Sequence, residues 1–454
     1  MTLTNFNLVG FSLAGLLSLS SGCKDKGNAV GKSFDKPNIL IIVSDDMGWS
    51  DIGYHGSEIK TPNLDKLAKT GLRMEQHYVM PTCTPTRVSL LTGKYPSRYG
   101  ITAPAYGEVI DTGDPTMASV LKNDGYYTAI AGKWHLGSPP YTPLKYGFRS
   151  SYGYFTGQID PYTHEYKQET ALTGKRSWHR NDVYFDEEGH VTDLLTTEAI
   201  RIIEERREEP FFLYLAHHVP HYPLDEPDEW KNVYKDMDMF PSRKLFAASV
   251  THMDNAVGEI IEALERTGKR EHTLILFISD NGGQHNWHNE ENYGGKYADK
   301  PHHVLGNNYP LRGWKEDLYE GGIRVPAFIN WAGKIMPGIM DAPIHVSDWF
   351  PTICHIVGCQ SSIDPLPLDG QNILPFLTGK QKKQEKRTMY WKTDRSSAVR
   401  EGDWKLLVHR DTDEVELFNL ENDFRETRNL NNANPEKTKY LLKLMNELKK
   451  HDRN

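Results

Sequence analysis

The chain has 454 residues, of which 38% are hydrophobic and 25% are charged. This composition predicts a folded protein with a large core and excludes a mainly disordered chain. The formal net charge of −8 provides no broad basic surface, so nucleic acid and acidic membranes are not expected as partners. Four cysteines are too few for a disulfide framework in a chain of this length, and the fold must therefore depend on its core.

The N-terminus has the pattern of an export signal. Residues 8–19 form an apolar stretch that is too short to span a membrane. Two serines and a glycine then precede Cys23, as in a bacterial lipoprotein signal, in which the cysteine is lipidated. We therefore predict a signal peptide over residues 1–22, a linker over 23–36, and a periplasmic protein or one anchored to a membrane by a lipid on Cys23. A plain cleaved signal is the alternative.

Four apolar runs dominate residues 37–378, which we predict to form the main domain. They cover residues 38–43, 128–131, 211–215 and 274–278. Continuous apolar runs are typical of strands buried on both faces, and the amphipathic stretches between them predict helices, which gives an α/β fold. Each run ends in polar residues that can take part in chemistry. Because ligands of open α/β sheets collect at the carboxyl ends of the strands, we predict one active site there.

The C-terminal part of the chain has a different pattern. A segment rich in lysine and glutamine, residues 379–387, predicts a linker. Residues 388–454 are predicted to form a small α+β subdomain. Short strands are predicted at 388–392, 404–408 and 414–417, and a final helix at 435–450.

Two further cysteines lie near the end of the main domain. Cys354 lies within the apolar residues 349–357, and Cys359 follows shortly after them. Two buried thiols are the simpler interpretation. A disulfide between them is the alternative.

The most specific motif begins at Cys83. Residues 83–87 read Cys-Thr-Pro-Thr-Arg, and residues 90–94 read Leu-Leu-Thr-Gly-Lys. This pattern resembles the Cys-x-Pro-x-Arg signature of the sulfatase family. The resemblance implies that a formylglycine-generating enzyme oxidises Cys83 to formylglycine (3-oxoalanine), whose hydrate attacks the sulfur of a sulfate ester and later releases sulfate. The alternative is a buried thiol on a proline-containing turn.

Two pairs of oxygen-bearing side chains follow two of the predicted strands. Asp45 and Asp46 form one pair, and Asp280 and Asn281 form the other. Together with an oxygen of the modified residue 83 they would make a cage of hard ligands, which favours Ca²⁺ or Mg²⁺ over zinc. The family resemblance implies one calcium ion. The alternative for either pair alone is a turn or a helix cap.

Basic residues and histidines complete the predicted site, and each lies in a stretch that resembles a sulfatase motif. They are Arg87, Lys133, His135, His221 and Lys315. The resemblance implies that Arg87 and Lys133 stabilise the formylglycine and the sulfate, and that His135 accepts a proton. His221 and Lys315 would bind sulfate oxygens. Which of these two protonates the leaving oxygen is open.

The resemblance also implies the fold and the class of substrate. Residues 37–348 and the start of the C-terminal subdomain resemble the sulfatases, which implies an alkaline-phosphatase-like mixed sheet flanked by helices with a smaller C-terminal α+β subdomain. Stretches such as Tyr-Thr-His-Glu at 162–165 are closest to the arylsulfatase B or N-acetylgalactosamine 4-sulfatase type. They imply a sulfated carbohydrate, either a glycosaminoglycan or an algal polysaccharide such as ulvan or carrageenan. His164, in the aromatic segment 152–166, is predicted to bind the sugar; a packed loop is the alternative.

Two other functions stay open at this point. A phosphate or phosphonate monoesterase of the same architecture shares the need for a metal and a tetrahedral anion. Two-metal phosphatases, however, need more histidine and aspartate ligands than this pattern offers. A non-catalytic glycan-binding lipoprotein would require residue 83 to remain a thiol.

Overall fold

The computed structural model describes residues 36–167, 174–205, 208–287, 296–297, 303–381 and 387–453. The predicted signal peptide, Cys23 and nearly all of the linker 23–36 lie outside the described residues. The strands in chain order are β1 (Asn38–Ser44), β2 (Leu72–Met74), β3 (His77–Tyr78), β4 (Tyr127–Lys133), β5 (Ser150–Tyr154), β6 (Trp178–Arg180), β7 (Val183–Tyr184), β8 (Phe211–Ala216), β9 (Thr273–Ser279), β10 (Ala327–Asn330), β11 (Gly338–Met340), β12 (Ile344–His345), β13 (Thr388–Lys392), β14 (Ser396–Glu401), β15 (Trp404–His409) and β16 (Val415–Asn419). The α-helices are α1 (Pro62–Thr70), α2 (Cys83–Thr92), α3 (Met117–Asn123), α4 (Val191–Glu205), α5 (Asp228–Asn232), α6 (Pro241–Arg266), α7 (Glu320–Ile323), α8 (Trp349–Val357), α9 (Leu374–Leu377) and α10 (Pro435–Lys449).

Ten strands in the described part of the chain form one mixed sheet, in the order β11-β2-β10-β9-β1-β8-β4-β5-β6-β7. Its centre consists of β9, β1, β8, β4 and β5, which are parallel to one another. The four predicted apolar runs are β1, β4, β8 and β9, so these predictions are confirmed. The antiparallel additions on both sides, β10 and β6, were not predicted from the sequence.

Strand β1 shows why the apolar runs are continuous. Ile39, Ile41 and Val43 belong to one hydrophobic cluster, which also contains residues of α2, α3 and α8. Leu40 and Ile42 belong to a second cluster on the other face, with residues of α1, α4 and α6. Successive side chains of a strand point to opposite faces, so a strand covered by helices on both sides needs an apolar residue at every position.

The C-terminal residues form the predicted subdomain. Strands β13 to β16 make an antiparallel four-stranded sheet, and Leu441 and Met445 of α10 pack on it. The predicted strands near 388, 404 and 414 and the final helix are confirmed. Strand β14 was not predicted, because it carries buried polar residues such as Arg400, whose guanidinium donates to the hydroxyl of Tyr78. None of the helices described here combines the length and the apolar character needed to cross a bilayer.

Candidate active site

The two predicted oxygen pairs lie side by side because β1 and β9 are paired in register up to Ser44 and Ser279. The residues after these strands therefore meet at one edge of the sheet. The side-chain amide of Asn281 donates to Asp46 Oδ1 at 2.7 Å, and the backbone N–H of Asp46 donates to Asp280 Oδ1 at 3.3 Å. Asp45 and the other three are fully buried. The structure thus brings all four residues together as predicted.

This cluster contains oxygen atoms with unused hydrogen-bonding capacity. Asp45 Oδ1 and Asn281 Oδ1 are buried and have no hydrogen-bond partner among the described residues. Burial, partly offset by Lys133, raises the pKa of Asp45. Burial together with the charge of Asp45 raises the pKa of Asp280 to about 6. A buried oxygen cluster of this kind has the donor set that calcium prefers, and a divalent cation would satisfy the unpartnered oxygens.

Cys83 lies beside this cluster as the first residue of α2. It follows Thr82, which is extended with φ −148° and ψ 159°. Proline at residue 85 is compatible with the first turn of a helix, because the N–H groups of that turn have no acceptor within the helix. The Cys83 Sγ is 3.1 Å from His135 Nδ1, and Cys83 is buried. Residue 83 therefore lies at a helix N-terminus, which favours negative charge, and next to an imidazole.

Arg87 and Lys133 are held by the carboxylates of the same cluster. Arg87 lies one helical turn after Cys83, on the same face of α2. Its Nη2 is 2.8 Å from Asp280 Oδ2, and its Nη1 donates to the carbonyl of Lys133 at 2.9 Å. The ammonium of Lys133 is 2.5 Å from Asp45 Oδ2. Two fixed positive charges therefore lie beside residue 83.

The imidazole of His135 is neutral and lies beside residue 83. Burial, together with Lys133 and Arg87, holds the pKa of His135 well below its usual range, so the ring is neutral. Its Nε2 is buried without a hydrogen-bond partner among the described residues. The backbone of His135 is left-handed, with φ of 51°, and the hydroxyl of Thr84 donates to its carbonyl at 3.0 Å. The fold therefore holds an unusual backbone conformation at this position, which costs about 1–3 kcal/mol.

Lys315 and His221 approach the cluster from its other side, at Asp46. Lys315 Nζ is 2.7 Å from Asp46 Oδ1, and His221 Nε2 is 3.7 Å from Asp46 Oδ2. Burial and the neighbouring Lys315 lower the pKa of His221 to about 3. Burial opposes protonation of Lys315, but the charges of Asp46, Cys83 and Asp45 together outweigh it and raise the pKa of Lys315. All the predicted catalytic and metal-binding residues therefore belong to one site.

His164 is accounted for by packing. Its ring is stacked on Trp178 with ring centroids 4.5 Å apart, and its Nε2 lies 3.1 Å from the carbonyl oxygen of Gly189. The residue is 3% exposed. In the described structure its contacts are those of the packed-loop alternative, and its role in sugar binding stays a prediction.

Two residues close to His135 have no motif that would mark them in the sequence. The ring of Tyr106 lies 5.4 Å from the ring of His135, and its hydroxyl is 3.1 Å from that of Tyr166. At Gly157 a Cβ atom would lie 2.7 Å from Cε1 of His135. A side chain at residue 157 would therefore clash with the imidazole of His135, so this position requires glycine. The one available signal was that residue 157 falls in the aromatic segment 152–166.

A cavity of about 540 Å³ adjoins the cluster at Lys315 and Thr82. Its walls come from the loop 102–104, from residues 316–319 and from two turns of the C-terminal sheet, 393–396 and 411–414. The C-terminal subdomain therefore shapes the space next to the catalytic residues.

Comparison with known proteins gives matches over most of the chain. The family model described as Sulfatase matches residues 37–359, and the model described as N-sulphoglucosamine sulphohydrolase, C-terminal, matches residues 313–454. Arylsulfatase J of Mus musculus is 31% identical over 88% of this chain and 71% of its own length. N-acetylgalactosamine-6-sulfatase of Homo sapiens is 30% identical over 87% of this chain and 76% of its own length.

Solved structures agree with this match. The crystal structure of Ps i-CgsB in complex with k-i-k-neocarrahexaose has a TM-score of 0.81 and 29% identity, and the match covers 92% of this chain and 94% of that one. The PsFucS1 sulfatase from Pseudoalteromonas sp. has a TM-score of 0.73 and 25% identity over 92% and 91% of the two chains. These similarities confirm the predicted mixed sheet flanked by helices with its C-terminal subdomain. With the family model matching 37–359, the chain belongs to the sulfatase family and is a hydrolase of sulfate esters.

Proposed function

We propose that this sulfatase removes sulfate esters from a sulfated carbohydrate, using formylglycine at position 83 and one calcium ion. The observation that carries the proposal is the environment of Cys83, which lies beside His135 and two fixed cations at a buried oxygen cluster. A carbohydrate substrate is supported by the relatives, since one is named for N-acetylgalactosamine and another was solved with neocarrahexaose.

The residues of the cluster fit calcium. Asp45, Asp46, Asp280 and Asn281 would hold the ion through their side-chain oxygens, with residue 83 adding one more oxygen. Oxygen ligands alone suit this cation, and two of these oxygens have no other partner in the described structure. When bound, the ion would supply positive charge to residue 83 and to the sulfate group.

The side chains around residue 83 position the sulfate and move protons. Formylglycine, as a hydrated aldehyde, would supply two hydroxyl groups on one carbon, one to attack sulfur and one to lose a proton. Arg87 is fixed by Asp280 and Lys133 by Asp45, so both cations are oriented before substrate binds. His135 is neutral and 3.1 Å from the side chain of residue 83, where it accepts the second proton.

Lys315 and His221 act on the side of the departing sugar. Both face Asp46. Lys315 can donate a hydrogen bond to a sulfate oxygen, whereas His221, whose Nδ1 donates to the carbonyl of Tyr222, can do so through Nε2 only when its ring is protonated. Lys315 also lines the cavity of about 540 Å³, which we propose as the binding site of the sugar that carries the sulfate. We propose that this carbohydrate is either a glycosaminoglycan or an algal polysaccharide such as ulvan or carrageenan.

Maturation and location complete the proposal. Oxidation of Cys83 requires a formylglycine-generating enzyme as partner. The leader of residues 1–22 would direct export to the periplasm, and Cys23 would carry a lipid anchor.

Two measurements test the proposal. Mass spectrometry of the peptide that contains residue 83 is expected to show the aldehyde in protein made together with the maturation enzyme. That protein is expected to release sulfate from sulfated oligosaccharides, and chelation is expected to stop the release until calcium is restored. A thiol at residue 83 in fully active protein would refute the assignment of formylglycine as the nucleophile. Faster turnover of phosphate monoesters than of sulfate esters would refute the reaction.

A further inference from the structure

The way in which helix α8 ends brings Cys354 and Cys359 together. Gly358 follows the helix in the left-handed region with φ of 85°, and the N–H of Cys359 donates to the carbonyl of Cys354 at 2.9 Å. This is a Schellman ending, in which the two residues joined by that hydrogen bond also bring their side chains into contact. In this chain both of those residues are cysteine.

The two thiols meet inside the hydrophobic core. Cys354 is 0% exposed and Cys359 is 4% exposed, and both belong to the cluster that α8 shares with α2 and β1. In the structure they are separate thiols. The covalent bonds that join the two Cα atoms to the donor nitrogen and the acceptor oxygen add about 4 Å to the N···O distance of 2.9 Å. The Cα atoms of Cys354 and Cys359 therefore lie within about 7 Å of each other, which is the limit for a disulfide.

We propose that Cys354 and Cys359 form an intramolecular disulfide that closes the end of α8. The oxidant is a small disulfide such as oxidised glutathione. The thiolate of Cys359 attacks one sulfur of that disulfide and releases one glutathione thiolate, which takes up a proton. The thiol of Cys354 then loses its proton and displaces the second glutathione from Cys359. The two protein thiols lose two electrons, and the small disulfide is reduced to two thiols.

The two exchange steps balance in the same way whichever cysteine attacks first. Since both side chains are buried, the exchange takes place while α8 is still unpacked during folding. The bond then braces a helix that packs directly on α2, the helix that begins at Cys83.

Counting thiols in the full chain tests the proposal without any mutation. The protein is refolded with oxidised glutathione, unfolded in denaturant and treated with iodoacetamide. Mass spectrometry then gives the mass of the peptide that contains both cysteines. We expect no alkyl group on this peptide, and two alkyl groups when a reductant precedes the alkylation. Two alkyl groups without reductant would overturn the proposal, and so would glutathione attached to either cysteine.

The variant Cys359→Ala provides the matched control. Its remaining thiol, Cys354, is expected to take one alkyl group without any reductant. If Cys354 takes no alkyl group in this variant either, a modification other than a disulfide with Cys359 blocks the thiol, and the proposal fails. If the variant does not fold, the wild-type count still decides. Because the readout is thiol chemistry, failure of the sulfatase mechanism would leave it unaffected.

Discussion

Among the described residues, two polar clusters have metal-like spacing but differ in their ligand atoms and in their charge; the first is buried, whereas Asp193 of the second is exposed. The acidic cluster consists of Asp45, Asp46, Asp280 and Asn281. The histidine cluster consists of His190, Asp193, Glu226 and His252. Ligand atoms of Asp45, Asp46 and His221, and likewise those of His190, Asp193 and His252, all lie within 4.8 Å of one another.

The histidine cluster supplies its own positive charge. His252 is joined through Nδ1 to Glu226 at 2.7 Å and through Nε2 to Asp193 at 3.0 Å. Burial alone would lower the pKa of His252, but these two carboxylates outweigh it and raise the pKa to about 9. His190 accepts the N–H of Thr192 through Nδ1 at 3.2 Å, at the start of α4. Both nitrogens of His252 are therefore engaged without a metal ion.

The two clusters differ in the kind of atom that is left without a partner. In the acidic cluster the carboxylates face Arg87, Lys133 and Lys315, and the two atoms without a hydrogen-bond partner in the described structure are both oxygens. In the histidine cluster Glu226 Oε1 and His190 Nε2 also have no hydrogen-bond partner among the described residues, but one of these atoms is a nitrogen and the charged His252 occupies the same cluster. Spacing and unpartnered atoms alone therefore do not identify a calcium site. The oxygen-only ligand set of the acidic cluster is the feature that suits calcium.

The largest expected contrast between the clusters is in turnover. Cys83→Ala should lower sulfate release by at least about 10³-fold, because the nucleophile is lost. Its midpoint of thermal unfolding should change little, since Cys to Ala removes only one buried atom. The matched variant His252→Gln should keep its turnover and lose stability. Kinetics and thermal melts on both variants check this. Equal losses of activity in the two variants would contradict the assignment of turnover to the site at residue 83 and of stability to the histidine cluster.

The sequence predicted the acidic cluster because its geometry follows from topology. Two runs that read as buried parallel strands end at the same edge of a sheet, which places Asp45 and Asp280 at one edge. They meet there because β1 and β9 are neighbours, and this strand order was not predicted. The pairing of Arg87 with Asp280 and of Lys133 with Asp45 could not be predicted, because it depends on distances across three strands and a helix. The same limit applies to Tyr106, which reaches His135 from a loop without a motif.

The histidine cluster was not predicted at all. Its four residues come from the start of α4, from α6 and from a loop, and they share no spacing in the sequence. Strand β14 was missed for a related reason, since its buried Arg400 finds a partner in Tyr78 only in the folded protein. His164 lies among aromatic residues in the sequence, which suggested sugar binding. Its ring stacks on Trp178 in the described structure, and the role in sugar binding stays a prediction.

A smaller effect should separate the clusters in calcium binding. Calcium at a hundred times its dissociation constant should stabilise the protein by about 2.7 kcal/mol and raise the midpoint of unfolding. Asp46→Asn should lose most of this shift, because a carboxylate of the acidic cluster is removed. Glu226→Gln, which alters only the histidine cluster, should keep it. Thermal melts with calcium and with chelator measure the shift. If Glu226→Gln loses the shift and Asp46→Asn keeps it, the ion binds at the histidine cluster and not at the acidic cluster.

An effect of similar size to that of calcium is expected in the pH dependence that His252 contributes. Its pKa in the folded protein, about 9, is above the ordinary value of 6.5. The charged ring therefore stabilises the fold fully below about pH 6.5, and this contribution is lost as the pH rises through 9. Wild type should exceed His252→Gln in free energy of unfolding by up to about 3 kcal/mol at pH 6.5, and the difference should shrink towards pH 10. Urea titrations at both pH values measure it. A difference that does not change with pH would mean that His252 is neutral and contributes only its stacking on Trp230.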